Sequence, residues 1–346
     1  MEPVEVLVCL PARLDEGQPA VRDALRPFAG RVRLTWAEYL DTPAVRALRG
    51  GPDPERARPL APRASAAFRA ALGRSEVVLA IDLPFDVHRL APRLRWVQSA
   101  GAGVAQLQRV GLERLGCRLT SAAGLAADSI AEFTLARILA HFKRFDELAA
   151  AQRERRWQPL PGRSLAGATL GVVGLGAIGR ALARRAAALG MRVLAARRAP
   201  FRDPTPPEVA ACHPLARLGE MLGQCDALVL AAAEGPETWG LMDRAAFAAL
   251  PPGAFFCNVA RGSLVDEAAL CDALQTGHLG GAAIDVAAVE PLPAEHPLWR
   301  APRLAISAHC AADLGDYWRD LWSLFAENLR RYLAGEPLFN ERPNRL

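Results

Sequence analysis

Six residues at positions 174–179, Gly-Leu-Gly-Ala-Ile-Gly, constrain the fold more than any other part of this chain. They follow an apolar run of strand character, 168–173, and precede a segment with apolar residues at helical spacing that ends before Gly190. Such glycines allow a tight turn and a close approach of the backbone to a pyrophosphate, which the helix N-terminus then binds. In this context a dinucleotide-binding βαβ unit is favoured over an ordinary glycine-rich turn. The residues expected to contact the cofactor are Gly174, Gly176, Ala177, Ile178 and Gly179.

The second strand of this unit, expected at 191–196, leads into Arg197 and Arg198. An acidic residue here would hydrogen-bond the 2′-hydroxyl of the adenine ribose, but none occurs between Arg192 and Arg202, which are themselves cationic. A planar guanidinium is a good partner for phosphate. We therefore expect NADP(H) to be preferred, with NAD(H) left open, since an arginine-rich chain can also place a solvated pair at this point.

Length and composition restrict the class of protein. The 346 residues suit about two domains, and 51% of them are apolar. No run approaches the roughly 18 apolar residues of a membrane span, and the N-terminus does not resemble a signal peptide. The seven cysteines contain no CxxC pair and lie mostly in apolar runs, as buried reduced thiols do. A cytoplasmic protein without a membrane partner is expected.

The net charge of +5 does not indicate a nucleic-acid partner, because the arginines are spread along the chain with acidic residues between them. A basic balance also suits an anionic substrate and cofactor. No cluster has the spacing of zinc ligands, so no metal is expected.

Apolar runs of strand length alternate with helical segments throughout the chain. Strands are expected at 4–10, 77–81, 95–98, 168–173, 191–196, 227–232, 254–259, 281–286 and 303–307. A long helix is expected from Asp128 to about residue 150, capped by Asp128 or Ser129. The alternation predicts an α/β fold with parallel sheets covered on both faces.

Three polar residues lie in motifs that follow the dinucleotide unit: Arg261 in 258–266, Glu290 in 284–293 and His309 in 306–309. Together with the segments 96–104, 123–132 and 328–337, these motifs resemble the D-isomer-specific 2-hydroxyacid dehydrogenases over nearly the whole chain. The resemblance implies two doubly wound parallel-sheet domains. A Rossmann NAD(P)-binding domain, 125–311, would be inserted into a split flavodoxin-like substrate-binding domain, 1–124 and 312–346. It also implies a homodimer.

The resemblance gives each of these side chains a role that its chemistry supports. Arg261 would hold the carboxylate and carbonyl of a 2-oxo acid and stabilise the charge that develops on the carbonyl oxygen. His309 would donate the proton to that oxygen, and Glu290 would hydrogen-bond its other ring nitrogen and favour the imidazolium. Backbone N–H groups of Ala102 and Gly103 would bind the substrate carboxylate. Further cofactor contacts are implied for Ala231, Ala260 and Asp285, the last at the nicotinamide carboxamide.

The expected activity is reduction of a small 2-oxo acid of the glyoxylate or hydroxypyruvate type to the D-2-hydroxy acid with NADPH. A bulkier substrate stays open, because Ala287 and Ala288 stand where the family often has an aromatic residue. Phosphoglycerate dehydrogenase is less expected, because no extra regulatory domain follows in the sequence. The alternative from another class is a dinucleotide-sensing, corepressor-like binding protein, since the Arg261, Glu290 and His309 set permits catalysis without proving it. The chain departs from the usual sequence of the family at two more places. Ala308 stands where proline is common, and residues 231–235 stand where His and Pro are common.

Overall fold

The structure, a computed structural model, describes residues 2–11, 18–50, 53–199, 201, 203–312 and 314–342. The chain divides into two compact units, Met1–Leu125 with Leu314–Leu346, and Ala126–Asp313. The boundaries expected from the sequence, after residues 124 and 311, lie within two residues of these. The second unit is continuous in sequence, whereas the first is completed by the C-terminal segment.

The strands are β1 Val4–Cys9, β2 Val32–Trp36, β3 Val77–Ala80, β4 Trp96–Ser99, β5 Arg118–Thr120, β6 Thr169–Val173, β7 Arg192–Arg197, β8 Val209–Pro214, β9 Ala227–Leu230, β10 Ala254–Asn258, β11 Leu279–Ile284, β12 Leu304–Ile306 and β13 Glu341–Arg342. The α-helices are α1 Pro19–Leu25, α2 Pro43–Gly50, α3 Ala66–Arg74, α4 Val87–Leu90, α5 Ala127–Phe142, α6 Phe145–Arg153, α7 Ala177–Ala188, α8 Gly219–Leu222, α9 Arg244–Ala248, α10 Glu267–Gln275 and α11 Leu314–Ala334. Short 3₁₀ helices include Gly262–Leu264 and Pro297–Arg300.

The first unit is built on a sheet with the strand order β13-β5-β4-β3-β1-β2. Strands β1 to β5 are parallel, and their order is that of the flavodoxin-like folds. Every residue of β3 and β4 is buried, as expected for parallel strands that are covered on both faces. The edge strand β13 departs from the expected all-parallel sheet, because it pairs with β5 in the antiparallel direction.

The second unit is built on a parallel sheet with the order β12-β11-β10-β9-β6-β7-β8. Counted within the unit, its first six strands have the order 3-2-1-4-5-6 of a Rossmann fold, and β12 extends the far edge. One apolar core covers the face that packs against α5 and α7, and another covers the opposite face. Because all strands are parallel, the loops that follow β6, β9, β10, β11 and β12 leave the sheet at one edge, where such folds bind ligands.

The expected long helix from Asp128 to about residue 150 is wrong in two respects. It is divided into α5 and α6, because Arg144 adopts a left-handed backbone conformation with φ of 57°. Neither Asp128 nor Ser129 caps it, since α5 begins after Ala126 without a side-chain cap. The Asp128 carboxylate instead forms an ion pair with Arg185 at 2.8 Å. This ion pair connects helices α5 and α7.

Among the described residues, no helix combines the length and the apolar character that a bilayer crossing requires. All seven cysteines are free thiols, and Cys310 is the exposed one among them.

Candidate active site

The glycine loop lies between β6 and α7, and each glycine has a separate steric reason. Gly174 has φ of 100°, and a Cβ there would lie 2.6 Å from the Ala232 Cα. A Cβ on Gly179 would lie 1.9 Å from the Gly174 carbonyl oxygen, so only glycine lets α7 begin this close to the strand. A Cβ on Gly176 would meet no atom within 4 Å apart from its chain neighbours, which leaves open the space that a pyrophosphate needs. Ala177 and Ile178 form the first turn of α7, which contains no acidic side chain to repel phosphate. The loop therefore fits a dinucleotide.

The arginines at the end of β7 differ in environment. Arg197 is half-buried above the Phe201 ring, donates to the carbonyl of Asp203 at 2.5 Å, and has an Nε without a hydrogen-bond partner in the described part of the chain. Arg198 is more exposed, with Glu237 4.0 Å away. Arg202 lies outside the described residues.

The sequence did not indicate Arg180 as a residue of this region. Arg192, which was expected beside Arg197 and Arg198, lies away from them. Arg180, in the first turn of α7, lies 3.5 Å from the carboxylate of Asp203, the residue that Arg197 also contacts. Arg192 lies at the opposite end of β7 and bonds Gln224 at 3.1 Å, away from the glycine loop. The cationic group near the end of β7 therefore consists of Arg197 with Arg180 and Arg198.

Arg261 follows β10 by three residues, on a turn that Asn258 shapes. The buried Asn258 side chain donates to the Arg261 carbonyl at 2.9 Å and accepts from the Ala260 N–H at 3.0 Å. The guanidinium is exposed, donates to the Ala260 carbonyl at 2.6 Å, and forms no ion pair with a carboxylate of the described residues. It is thus free to take an anionic ligand. The backbone of Gly262 comes so close to the loop before Glu290 that a Cβ would lie 1.9 Å from the Ala287 carbonyl carbon.

Glu290 and His309 form a hydrogen-bonded pair with 2.9 Å between Oε2 and Nδ1. The other carboxylate oxygen accepts from the Ala287 N–H at 3.0 Å. Burial pushes the pKa of Glu290 up, but the bonds from His309 and Ala287 and the charge of Arg261 outweigh it, so that this pKa lies below its ordinary value. A carboxylate facing Nδ1 requires a proton on that nitrogen, which leaves Nε2 for a substrate.

Asp285 holds the turn that carries His309. Its buried carboxylate accepts from Ser307 Oγ at 2.7 Å, from the Cys310 N–H at 2.9 Å and from the Ala311 N–H at 3.1 Å. Its carbonyl accepts from the His309 N–H at 2.8 Å. These bonds fix His309 in a left-handed conformation with φ of 54°. The carboxylate still has lone pairs for a further donor such as a carboxamide.

The remaining expected site residues are small and lie in loops at strand ends. Ala231 follows β9 beside the glycine loop and donates to the Val173 carbonyl at 2.8 Å, and Ala260 is buried after β10. Ala102 and Gly103 lie in the first unit, in the loop after β4. Within the described residues their N–H groups donate to no acceptor, so this turn can bind an anion.

Sequence reasoning found Arg261, Glu290 and His309 but missed the side chains that hold them. Asn258 and Ser307 lie at or just beyond the ends of β10 and β12, and both bond backbone near a site residue. A polar residue at the end of a parallel strand was the available signal. No pattern indicated Arg180, because its relation to Asp203 is tertiary.

Comparison with known proteins finds a matching family model and similar solved structures. A family model described as "D-isomer specific 2-hydroxyacid dehydrogenase, NAD binding domain" matches residues 135–311. The structure of a D-isomer specific 2-hydroxyacid dehydrogenase from Xanthobacter autotrophicus Py2, in complex with NADPH and MES, is 30% identical with a TM-score of 0.79, covering 99% of this chain and 98% of that one. An NADPH-dependent glyoxylate/hydroxypyruvate reductase from Sinorhizobium meliloti, in complex with NADP and sulfate, is 25% identical with a TM-score of 0.76, covering 99% and 98%.

Among curated proteins, D-3-phosphoglycerate dehydrogenase from Mycobacterium tuberculosis is 34% identical over 288 residues. That match covers 83% of this chain and 52% of the relative, so the chain spans about half the length of the curated relatives it matches.

Proposed function

We propose that this chain, which belongs to the D-isomer specific 2-hydroxyacid dehydrogenase family, reduces a small 2-oxo acid to the D-2-hydroxy acid with a nicotinamide dinucleotide. The observation that carries the proposal is the Glu290–His309 pair, 2.9 Å apart, on strand-end loops of the same sheet as Arg261. A carbonyl reduction requires a cation that binds the anionic substrate, an imidazole polarised by a carboxylate, and a loop that binds the dinucleotide.

The site residues divide the work of this reaction. Arg261 binds the substrate carboxylate and carbonyl and stabilises the charge that develops on the carbonyl oxygen. His309 donates a proton from Nε2 to that oxygen, while Glu290 keeps the ring oriented and stabilises its charged form. The glycine loop 174–179 would hold the dinucleotide, which would supply the hydride. For the N–H groups of Ala102 and Gly103, in the first unit, binding of a substrate carboxylate stays a prediction.

NADP(H) is the proposed cofactor, with NAD(H) as the alternative. Arg197 and Arg198 follow β7 where an acid would favour NAD(H), and Arg180 lies beside them. Two related structures are described in complex with NADPH or NADP, which supports the same choice here. Glyoxylate and hydroxypyruvate are the proposed substrates, because a relative is named for them. Ala287 and Ala288 leave room beside Glu290 for a bulkier 2-oxo acid.

A homodimer in the cytoplasm completes the proposal. On α6 and after it, Phe145, Leu148 and Trp157 expose large apolar side chains, and Trp157 is fully exposed. In the proposed homodimer a second copy would cover these side chains. Free thiols at every cysteine suit a reducing compartment.

The test is a set of initial rates with NADPH and NADH, each with glyoxylate, hydroxypyruvate, pyruvate and phenylpyruvate, for the wild type and His309→Ala. Turnover that prefers NADPH and is lost in His309→Ala supports the proposal. Preference for NADH contradicts the cofactor choice alone. Measurable cofactor binding without turnover of any 2-oxo acid contradicts the activity and favours a dinucleotide-sensing protein.

A further inference from the structure

The loop between β11 and the 3₁₀ helix Pro297–Arg300 carries Glu290 but contains no regular secondary structure of its own. Val289, next to Glu290, exposes 59% of its surface, so its side chain does not anchor the backbone beside Glu290. Yet Glu290 Oε2 lies 2.9 Å from His309. A contact from another element can hold the backbone at this point.

Glu267 makes that contact from helix α10. It occupies the first position of the helix, its side chain is 15% exposed, and its Oε1 accepts from the Ala288 N–H at 2.8 Å. The preceding N–H, of Ala287, donates to Glu290 itself at 3.0 Å. Two consecutive N–H groups of the loop are therefore held by two different carboxylates, one catalytic in our proposal and one outside the site.

His296 connects the same carboxylate to the far end of the loop. Its Nδ1 accepts from the Leu298 N–H at 3.4 Å, so the neutral ring carries its proton on Nε2. That Nε2 lies 3.5 Å from Glu267 Oε2. Glu267 thus faces both ends of the segment that carries Glu290.

Gly262 closes the other side of the Ala287–Ala288 peptide. A Cβ at this position would lie 2.1 Å from the Ala288 nitrogen, so the glycine packs directly on the peptide whose N–H Glu267 accepts. The peptide is confined between Gly262 and Glu267. Because Gly262 adjoins Arg261, this contact also fixes the position of the loop relative to the proposed anion-binding arginine.

We propose that Glu267, oriented by His296, is a positioning residue that holds the loop of Glu290 and thereby the Glu290–His309 hydrogen bond. This inference rests on the proposed function, which gives Glu290 its catalytic role. A purely helical role does not account for the geometry, because Asp266 already caps α10 by accepting from the Ala268 and Ala269 N–H groups. A carboxylate needed only for the helix dipole would have no reason to bond Ala288.

The test compares Glu267→Ala, Glu267→Gln and Glu295→Ala. Glutamine keeps an oxygen that accepts from Ala288, whereas alanine removes it. Glu295 is the matched control, because it is an exposed carboxylate on the same loop with no bond to another described residue. We expect kcat to fall about tenfold in Glu267→Ala, the range for loss of a hydrogen bond to a charged group, with KM little changed. It should recover only in part in Glu267→Gln, whose amide nitrogen would face His296 Nε2.

Two readouts that do not depend on turnover separate this inference from the proposed function. Amide hydrogen exchange of Ala288 should accelerate in Glu267→Ala and stay unchanged in Glu295→Ala. The ¹⁵N signals of the His309 ring, which report the bond at Nδ1, should shift only in Glu267→Ala. A wild type that turns over no 2-oxo acid contradicts the proposed function alone. Unchanged ring signals, or unchanged kinetics of Glu267→Ala in an active enzyme, overturn the positioning role whatever happens to the melting temperature.

Discussion

Glu290 Oε2 lies 2.9 Å from Nδ1 of His309, and the two residues belong to loops that follow adjacent parallel strands, β11 and β12. The pairing of these strands sets the spacing of the two loops. The hydrogen bonds of Asp285 fix the turn of His309, and Glu267 fixes the loop of Glu290. The pair is therefore held by backbone contacts on both sides.

Replacement of Glu290 by glutamine should lower kcat for 2-oxo acid reduction by about 10²-fold, the lower range for positioned acid–base catalysis. The amide preserves the shape but does not stabilise a charged imidazole. Steady-state rates between pH 5 and 9 would check this, with Glu295→Gln as the control. Equal rates in both variants would exclude a role for the Glu290 charge.

Stability should depend on pH through Glu290. Because its pKa is lowered in the folded protein, Glu290 contributes stability that is present above the unfolded carboxyl pKa of about 4.3 and is lost as pH falls through the lower folded value. Urea unfolding of the wild type and Glu290→Gln from pH 3 to 7 measures this. The wild type should be the more stable at pH 7, and the difference should shrink below pH 4.5. A difference that is constant with pH would contradict the lowered pKa.

Two alanine substitutions in the glycine loop should have different effects. In Gly179→Ala the Cβ would lie 1.9 Å from the Gly174 carbonyl, so the variant should lose stability and cofactor binding together. In Gly176→Ala nothing in the protein is within 4 Å of the Cβ, so the melting temperature should stay near wild type while dinucleotide affinity falls at least tenfold. Thermal unfolding and NADPH fluorescence titration separate the two. Normal NADPH binding by Gly176→Ala would show that the pyrophosphate does not approach this glycine.

Arg197→Gln should raise the Kd for NADPH by about 10- to 100-fold, as expected for loss of a charge-assisted bond to phosphate, and leave NADH binding within about twofold. Arg198→Gln should have a smaller effect, because its side chain is 71% exposed and faces Glu237. Titration with both cofactors and with 2′,5′-ADP checks this order. Equal losses for NADPH and NADH in Arg197→Gln would place the arginine away from the 2′-phosphate.

Asp285→Asn should release the turn of His309, because the amide nitrogen replaces one of the two oxygens and brings a donor toward the N–H group of either Cys310 or Ala311. The loss of charge-assisted bonds should lower kcat by at least tenfold. Ser307→Ala, which removes one of the bonds, should have a milder effect in the same direction. Single-turnover rates together with NADPH affinity distinguish this from a cofactor contact. A raised Kd for NADPH with an unchanged single-turnover rate would favour the carboxamide role.

The dinucleotide unit could be predicted from the sequence because each of its signals is local. The glycines, the apolar run before them and Gly190 after α7 indicate β6, α7 and β7 without reference to the rest of the chain. Arg261, Glu290 and His309 could be found because each lies in a short motif after a strand. Their assembly follows from a sheet whose parallel strands end at one edge.

The parts that were missed depend on tertiary contacts. The division between α5 and α6 has no glycine or proline signal, because Arg144 itself takes the left-handed conformation. From the sequence alone, Glu267 is an ordinary acidic residue in the first turn of a helix. Only the folded structure brings Ala288 close to it. Strands β5 and β13 are too short and polar to be recognised alone, and each exists because it adds to a sheet edge.

The pairing of β5 with β13 has a consequence for the order in which the protein is made. Arg118 and Glu341, which bond across these strands, are 223 residues apart, and the whole continuous unit lies between them. At a translation rate of about 5–20 residues per second, this separation corresponds to roughly 10 to 45 s during which the edge of β5 has emerged from the ribosome without its neighbour. The inserted unit can fold during that interval, so the part of the chain that is synthesised first is completed last.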